Sequence, residues 1–91
     1  MAATKDDLKK WYISGKKQGA THIIIVCDTY DWDDYPVFIK PGADVKEIYA
    51  EYTPQIEDGV LVEKHPMQKV MEVYNLDMTW EEQENGRVMN F

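Results

Sequence analysis

The stretch Thr21-His22-Ile23-Ile24-Ile25-Val26-Cys27 carries three isoleucines and a valine with no polar residue between them. A strand with one wet face alternates apolar and polar residues; an unbroken β-branched run is the pattern of a strand covered on both faces. His22–Cys27 is therefore expected to be a central strand with other elements packed above and below it.

Upstream, Thr4 is placed to cap a helix, with Asp6 and Asp7 near the positive end of its dipole. Leu8, Trp11, Tyr12 and Gly15 recur at helical spacing, and Gly19 is a terminator, which predicts a helix over Lys5–Gln18. Gly15 within the apolar stripe points to close approach by another element.

Downstream, Asp28–Asp34 is a polar break with aromatic insertions, followed by a second strand over Tyr35–Lys40. Pro36 near its start suits a strand end or an edge. The short connection predicts a hairpin, hence antiparallel pairing. Pro41-Gly42 ends this strand. Asp44 and Glu47 form a capping-box variant for a second helix reaching Tyr52, with Val45, Ile48, Tyr49 and Tyr52 as its apolar stripe and Pro54 just beyond.

In Thr53–Pro66, Val60-Leu61-Val62 lies between two turn signals, Asp58-Gly59 and His65-Pro66, and reads as a strand tip or a hairpin-like excursion. Pro66 is placed to open a third helix, with Met67, Val70, Met71 and Tyr74 at helical spacing and Asn75 at its end. Thr79 and Glu82 form a further capping box for a short helix, Trp80–Glu84, stopped by Asn85-Gly86. Val88, Met89 and Phe91 in Arg87–Phe91 suggest a strand or an extended arm. The chain of 91 residues thus reads as a single α+β domain. Its small antiparallel sheet has His22–Cys27 at the centre and packs against three to four short helices.

Apolar residues make up 44% and aromatics 12%, enough for a core without disulfide staples. Cys27, the only cysteine, excludes an internal disulfide. No apolar run approaches the roughly 18 residues of a membrane span, and the N-terminus lacks a signal-peptide layout. A cytoplasmic, soluble protein is the expectation. The formal net charge of −7 disfavours nucleic acid and anionic membranes as partners. The one basic cluster, Lys5, Lys9, Lys10, Lys16 and Lys17, is interleaved with Asp6 and Asp7 and reads as a solvated helix face.

The candidate site is the loop Asp28-Thr-Tyr-Asp-Trp-Asp-Asp-Tyr35, with four carboxylates and three aromatics in eight residues. It follows the end of a buried strand, where α/β folds tend to place ligands. Four readings stay open. In the first, Tyr30, Trp32 and Tyr35 stack on a ring while Asp28, Asp31, Asp33 and Asp34 accept hydrogen bonds from a polar, nucleotide-like ligand. In the second the aromatics anchor a protein partner. In the third the aspartates hold a divalent cation for hydrolysis. In the fourth the loop is a hairpin connection with its aromatics folded onto the core. Counting from Asp31 puts Pro36 where a calcium loop of the EF-hand type needs glycine, so that form of cation site is excluded.

Cys27, His22 and His65 have no zinc spacing. Cys27 ends an apolar run and reads as a core residue. There is no phosphate loop, dinucleotide glycine fingerprint or H-E-x-x-H motif, so no cofactor and no catalytic residue is assigned. Methionines and tryptophan near the C-terminus (Met71, Met78, Trp80, Met89) are compatible with a homo-oligomer interface.

Three stretches, Gln18-Gly-Ala-Thr-His22 running into Val26-Cys-Asp-Thr29, Asp34-Tyr-Pro-Val37, and Met67-Gln-Lys-Val-Met-Glu-Val-Tyr74, resemble a group of small uncharacterised proteins of bacterial and phage genomes. The resemblance covers most of the chain except Thr53–Pro66. It carries over no activity; small phage-encoded proteins often bind host proteins or sequester signalling nucleotides. The reading that follows is a non-enzymatic binding protein. Through the Asp28–Tyr35 loop it takes a small polar or nucleotide-like ligand or a partner protein. A divalent-metal-dependent hydrolase using the same aspartates is the alternative.

Overall fold

The computed structural model describes residues 3–83 and 89–91. The element order is α1 (Lys5–Lys17), β1 (His22–Asp28), β2 (Asp33–Ile39), α2 (Val45–Glu51), β3 (Gln55–Glu57), β4 (Val60–Val62), β5 (Gln68–Asn75) and α3 (Trp80–Gln83). The fold is α+β: a three-stranded sheet in the order β2-β1-β5, antiparallel throughout, with a separate β3–β4 hairpin.

β1 is the centre, and its unbroken apolar run has the expected cause. Ile23 and Ile25 face α1 and α3, in a cluster with Tyr12, Ala20, Tyr74 and Leu76. Ile24 and Val26 face α2, in a cluster with Ile39, Val45 and Val73. Ile23 through Val26 are all but inaccessible to solvent. Each such side chain contributes roughly 1.5–3 kcal/mol of transfer free energy, so this strand anchors both layers.

The capping signals mostly hold. Thr4 and Asp7 form a reciprocal capping box at α1, and Thr79 and Glu82 form another at α3. At α2, Asp44 accepts from the Lys46 amide, one residue earlier than a capping box with Glu47 would have it. Thr53–Pro66 contains the hairpin excursion, closed by Asp58-Gly59. Met89 forms a parallel bridge to Val73, and the Asn90 amide donates to the Val73 carbonyl, so this part of the tail is an extended arm on β5. Glu84, the Asn85-Gly86 stop, Arg87 and Val88 lie outside the described residues.

Two expectations are corrected. The second strand begins at Asp33, so Asp33, Asp34 and Tyr35 belong to β2 and the connection is only the turn Thr29–Trp32. The third helix, expected from Pro66, is strand β5. Its register against β1 slips between Ile25↔Glu72 and Val26↔Val70, leaving Met71 as the extra residue of a β-bulge. The bulge sets Val70 and Val73 three apart on the α2 face and Met71 and Tyr74 three apart on the α1 face. A doubly covered strand with one inserted residue thereby reproduces the i, i+3, i+4, i+7 spacing of a helix.

Gly15 faces the core where α1 crosses β1. A Cβ there would stand 2.9 Å from Leu76 Cδ1 and 3.1 Å from Ile23 Cδ1. Gly15→Ala trades a helix-propensity gain of up to about 1 kcal/mol against overpacking of similar size. Gly15→Val adds more bulk with little of that gain. It is expected to lower stability by about 2–3 kcal/mol, read as a lower urea midpoint at unchanged m value.

Candidate functional site

The turn Thr29–Trp32 is built by its own backbone. The Asp28 carboxylate accepts from the Tyr30 amide at 2.9 Å, and the Asp28 carbonyl accepts from the Trp32 amide at 2.7 Å. Thr29 ties the turn to the start of β5: its amide and its hydroxyl each donate to the Met67 carbonyl at 2.7 Å. Trp32 closes the turn in the left-handed region, at φ 58°. That conformation costs a side-chain-bearing residue roughly 1–2 kcal/mol. Tyr30 and Trp32 point outward, 76% and 63% exposed.

The three aromatics of the expected site separate. Tyr35 pairs with Val26 on the α2 face and packs into that cluster, facing Tyr52 and Gln68. Burial, then the neighbouring Tyr52 hydroxyl and Asp28, push its phenol pKa up. A single ring cannot stack on Tyr30, Trp32 and Tyr35 together.

The four carboxylates separate as well. Asp28 is turned to the Tyr30 amide. Asp34 lies on the α1 face, opposite Cys27, and accepts from the Ala3 amide at 3.0 Å. Asp33 stands opposite Asp28 at the end of the sheet, and Asp31 sits in the turn. Among the described residues, no group of three His, Cys, Asp or Glu side chains is arranged to hold a metal ion.

Cys27 is buried beside Asp34, and burial together with the hydrogen bond and charge of that carboxylate raises the thiol pKa. This is the environment of an inert thiol rather than a nucleophile. His22 is part of the fold: its Nδ1 meets the Thr21 hydroxyl and its Nε2 donates to the Phe91 carbonyl at 2.8 Å. His65 stacks on Tyr52, with ring centroids 4.5 Å apart. Cys27, His22 and His65 therefore lie in separate settings.

The hollow in this region is beside the turn. A cavity of about 280 Å³ opens between the end of α2, the hairpin stem and the start of β5, with walls that include Thr29, Tyr52, Pro54, His65, Gln68 and Val70. Only Thr29 connects it to the expected loop; Tyr30 and Trp32 do not line it. This region was missed because its residues come from three segments whose order is set by the misread β5. The stacked Tyr52–His65 pair has no spacing signature in the sequence.

Tyr30, Trp32 and Met67 are thus exposed at the end of the sheet where β1 stops and β5 begins, and the β3–β4 hairpin connects into the same end. No helix among the described residues is long and apolar enough to cross a membrane. Comparison with protein families, with curated proteins and with solved structures gives no match.

The raised groups Cys27, Tyr35 and Tyr74 carry a pH prediction. Tyr74 is shifted upward by burial and by the Glu72 carboxylate, which accepts from its hydroxyl at 2.6 Å. A pKa raised on folding favours the neutral form, so this stability is complete below the unfolded values, about 8.5 for cysteine and about 10 for tyrosine, and is lost as pH climbs past them. Urea midpoints are expected to fall steadily above about pH 9. Tyr74→Phe should flatten the part of that fall above about pH 10. A disulfide-exchange reagent at about pH 8 should leave Cys27 unmodified until urea unfolds the chain.

Proposed function

We propose that this chain is a non-enzymatic binding domain that docks a partner protein with the end of its sheet, through the Asp28–Trp32 turn. The observation that carries the reading is the outward placement of Tyr30 and Trp32 on a turn made rigid by the Asp28 and Met67 hydrogen bonds. Rigid, exposed Tyr and Trp side chains are favoured anchors of protein interfaces, because they bury a large area at low cost in conformational entropy. The left-handed Trp32 supports it: strain held by the surrounding hydrogen bonds is commonly found at functional positions.

The distribution of apolar surface favours a partner protein over a small ligand. Among the described residues, six of the nine exposed large hydrophobics (Tyr30, Trp32, Ile56, Val60, Leu61 and Met67) belong to the turn, the hairpin and the start of β5. A small ligand needs convergent walls, and the turn offers projecting ones. A divalent-metal-dependent hydrolase on the loop aspartates has weaker support, since Asp28 and Asp34 are engaged in different directions.

A random-peptide display selection against the immobilised chain, followed by calorimetry on selected peptides, tests the reading. Binding to a Tyr30→Ser, Trp32→Ser variant is expected to be weaker by at least about tenfold, a loss of about 1.4 kcal/mol. Equal binding to both proteins removes the turn from the interface. Thermal midpoints with magnesium, calcium, manganese or a panel of nucleotides are expected to stay unchanged. A rise with a nucleotide favours the small-ligand reading, and a rise with a cation favours the hydrolase.

A further inference from the structure

α1 presents an exposed isoleucine inside a collar of cations. The buried side of the helix is Leu8, Trp11, Tyr12 and Gly15, which meet the core. The opposite side carries Ile13, 46% exposed. On a helix, the nearest surface neighbours of a residue stand three and four positions away in each direction. For Ile13 those positions are Lys9, Lys10, Lys16 and Lys17, and all four lysines are exposed. The two acids of the helix, Asp6 and Asp7, lie in its first turn, and the Asp7 carboxylate accepts from the Thr4 amide in the cap.

Charge is segregated onto this helix. α1 has five lysines against two aspartates, a local +3 in a chain whose net charge is −7, so the rest of the molecule stands at −10. Lys16 and Lys17 sit in the last turn, where cations complement the helix dipole. Lys9 and Lys10 sit mid-helix, beyond the reach of that effect. Four like charges around one residue repel one another, and an anionic partner relieves that repulsion. The aliphatic stems of the lysines extend the apolar area around Ile13 while their heads stay in water. Lys16 Nζ stands 5.3 Å from the centroid of the Tyr12 ring, which orients one corner of the collar. The result is an apolar spot with a charged rim, where one side chain can be buried at the centre while ion pairs form at the edge.

We infer that the outer face of α1 docks a short acidic segment of a partner protein. An apolar side chain of that segment sits on Ile13, and its glutamates or aspartates face Lys9, Lys10, Lys16 and Lys17. Complementary charge sets the sign of the partner, and screening sets its size. The Debye length is about 8 Å at physiological ionic strength, and the domain measures 40 × 31 × 22 Å. A segment no longer than α1, about 20 Å, stays close to the lysines and feels the local +3. A membrane surface or a nucleic-acid duplex extends past the helix and takes in more of the −10 remainder. A second copy of this chain brings a further −7 against it. The α1 face shares no residue with the Thr29–Trp32 turn, so each can bind without the other.

The test titrates two labelled helix-forming peptides by fluorescence anisotropy. Each has a central leucine, flanked three and four residues away on both sides by glutamates in one peptide and by lysines in the other. Five proteins are compared: wild type, Lys9→Gln with Lys10→Gln, Ile13→Gln, Lys64→Gln with Lys69→Gln, and Tyr30→Ser with Trp32→Ser. Glutamine keeps helix propensity at exposed positions, so the urea midpoints of the α1 variants are expected to match wild type. The glutamate peptide is expected to bind wild type at least about tenfold more tightly than the lysine peptide, less so as salt is raised. Lys9→Gln with Lys10→Gln is expected to lose about five- to tenfold with a flatter salt dependence, and Ile13→Gln several-fold with the salt dependence kept. Lys64→Gln with Lys69→Gln removes the same charge elsewhere and is expected to bind like wild type, as is the turn variant. Equal loss in Lys64→Gln with Lys69→Gln reduces the effect to net charge and overturns the inference. So do absence of binding, equal binding of the two peptides, and a loss confined to the turn variant. Tighter binding to vesicles of equal phosphatidylcholine and phosphatidylserine, or to a short DNA duplex, overturns it in favour of an extended polyanion. A sedimenting dimer of the wild type that Lys9→Gln with Lys10→Gln dissociates overturns it in favour of a second copy.

Discussion

The burial of β1 on both faces is the constraint on which the rest of the molecule depends. Ile23 and Ile25 need a cover on one side and Ile24 and Val26 on the other, and a three-stranded sheet can supply neither. The helices provide those covers. α1 presses so closely on one face that it carries Gly15 against Leu76 and Ile23. Tyr12 secures the same layer, donating to the Met78 carbonyl at 2.6 Å and meeting the Trp80 ring at 5.7 Å. α2 closes the opposite face with Val45, Ile48, Tyr49 and Tyr52.

What the sequence revealed follows from the same constraint. An unbroken β-branched run has one reading, and Ile23–Val26 fulfilled it. Thr4, Asp44 and Thr79 were legible because a cap is a local hydrogen bond between neighbours in the chain. β5 was not legible as a strand. Its bulge at Met71 exists only in relation to β1, and an isolated sequence holds no record of a register slip against a partner strand. Hydrophobic spacing reports which residues are buried, and helix and bulged strand bury Val70, Met71 and Tyr74 alike.

The candidate site was half legible for a related reason. Composition located the cluster of acids and aromatics, but direction is a property of the pleat. Val26↔Tyr35 and Cys27↔Asp34 are successive pairs, so they point to opposite faces. One residue decides that Tyr35 is core and Asp34 is tied to the chain's N-terminal segment. Tyr30 and Trp32 escape this alternation because they lie in the turn, and they alone of the three aromatics remain outside.

The sheet's own edges are poor templates for strand addition. Strand addition needs a row of free backbone donors and acceptors. On β2, Pro36 removes a donor from the middle of the strand, a device that blocks edge pairing. On β5, the extended segment Met89–Phe91 lies alongside, with the Asn90 amide on the Val73 carbonyl, and the Phe91 ring against Tyr49 with centroids 5.0 Å apart. One edge thus lacks a donor and the other is occupied from within the chain, so the groups exposed at the end of the sheet are side chains rather than free backbone. Side-chain recognition rewards aromatic and aliphatic groups on rigid supports. One such support is the hydrogen-bonded turn that carries Tyr30 and Trp32.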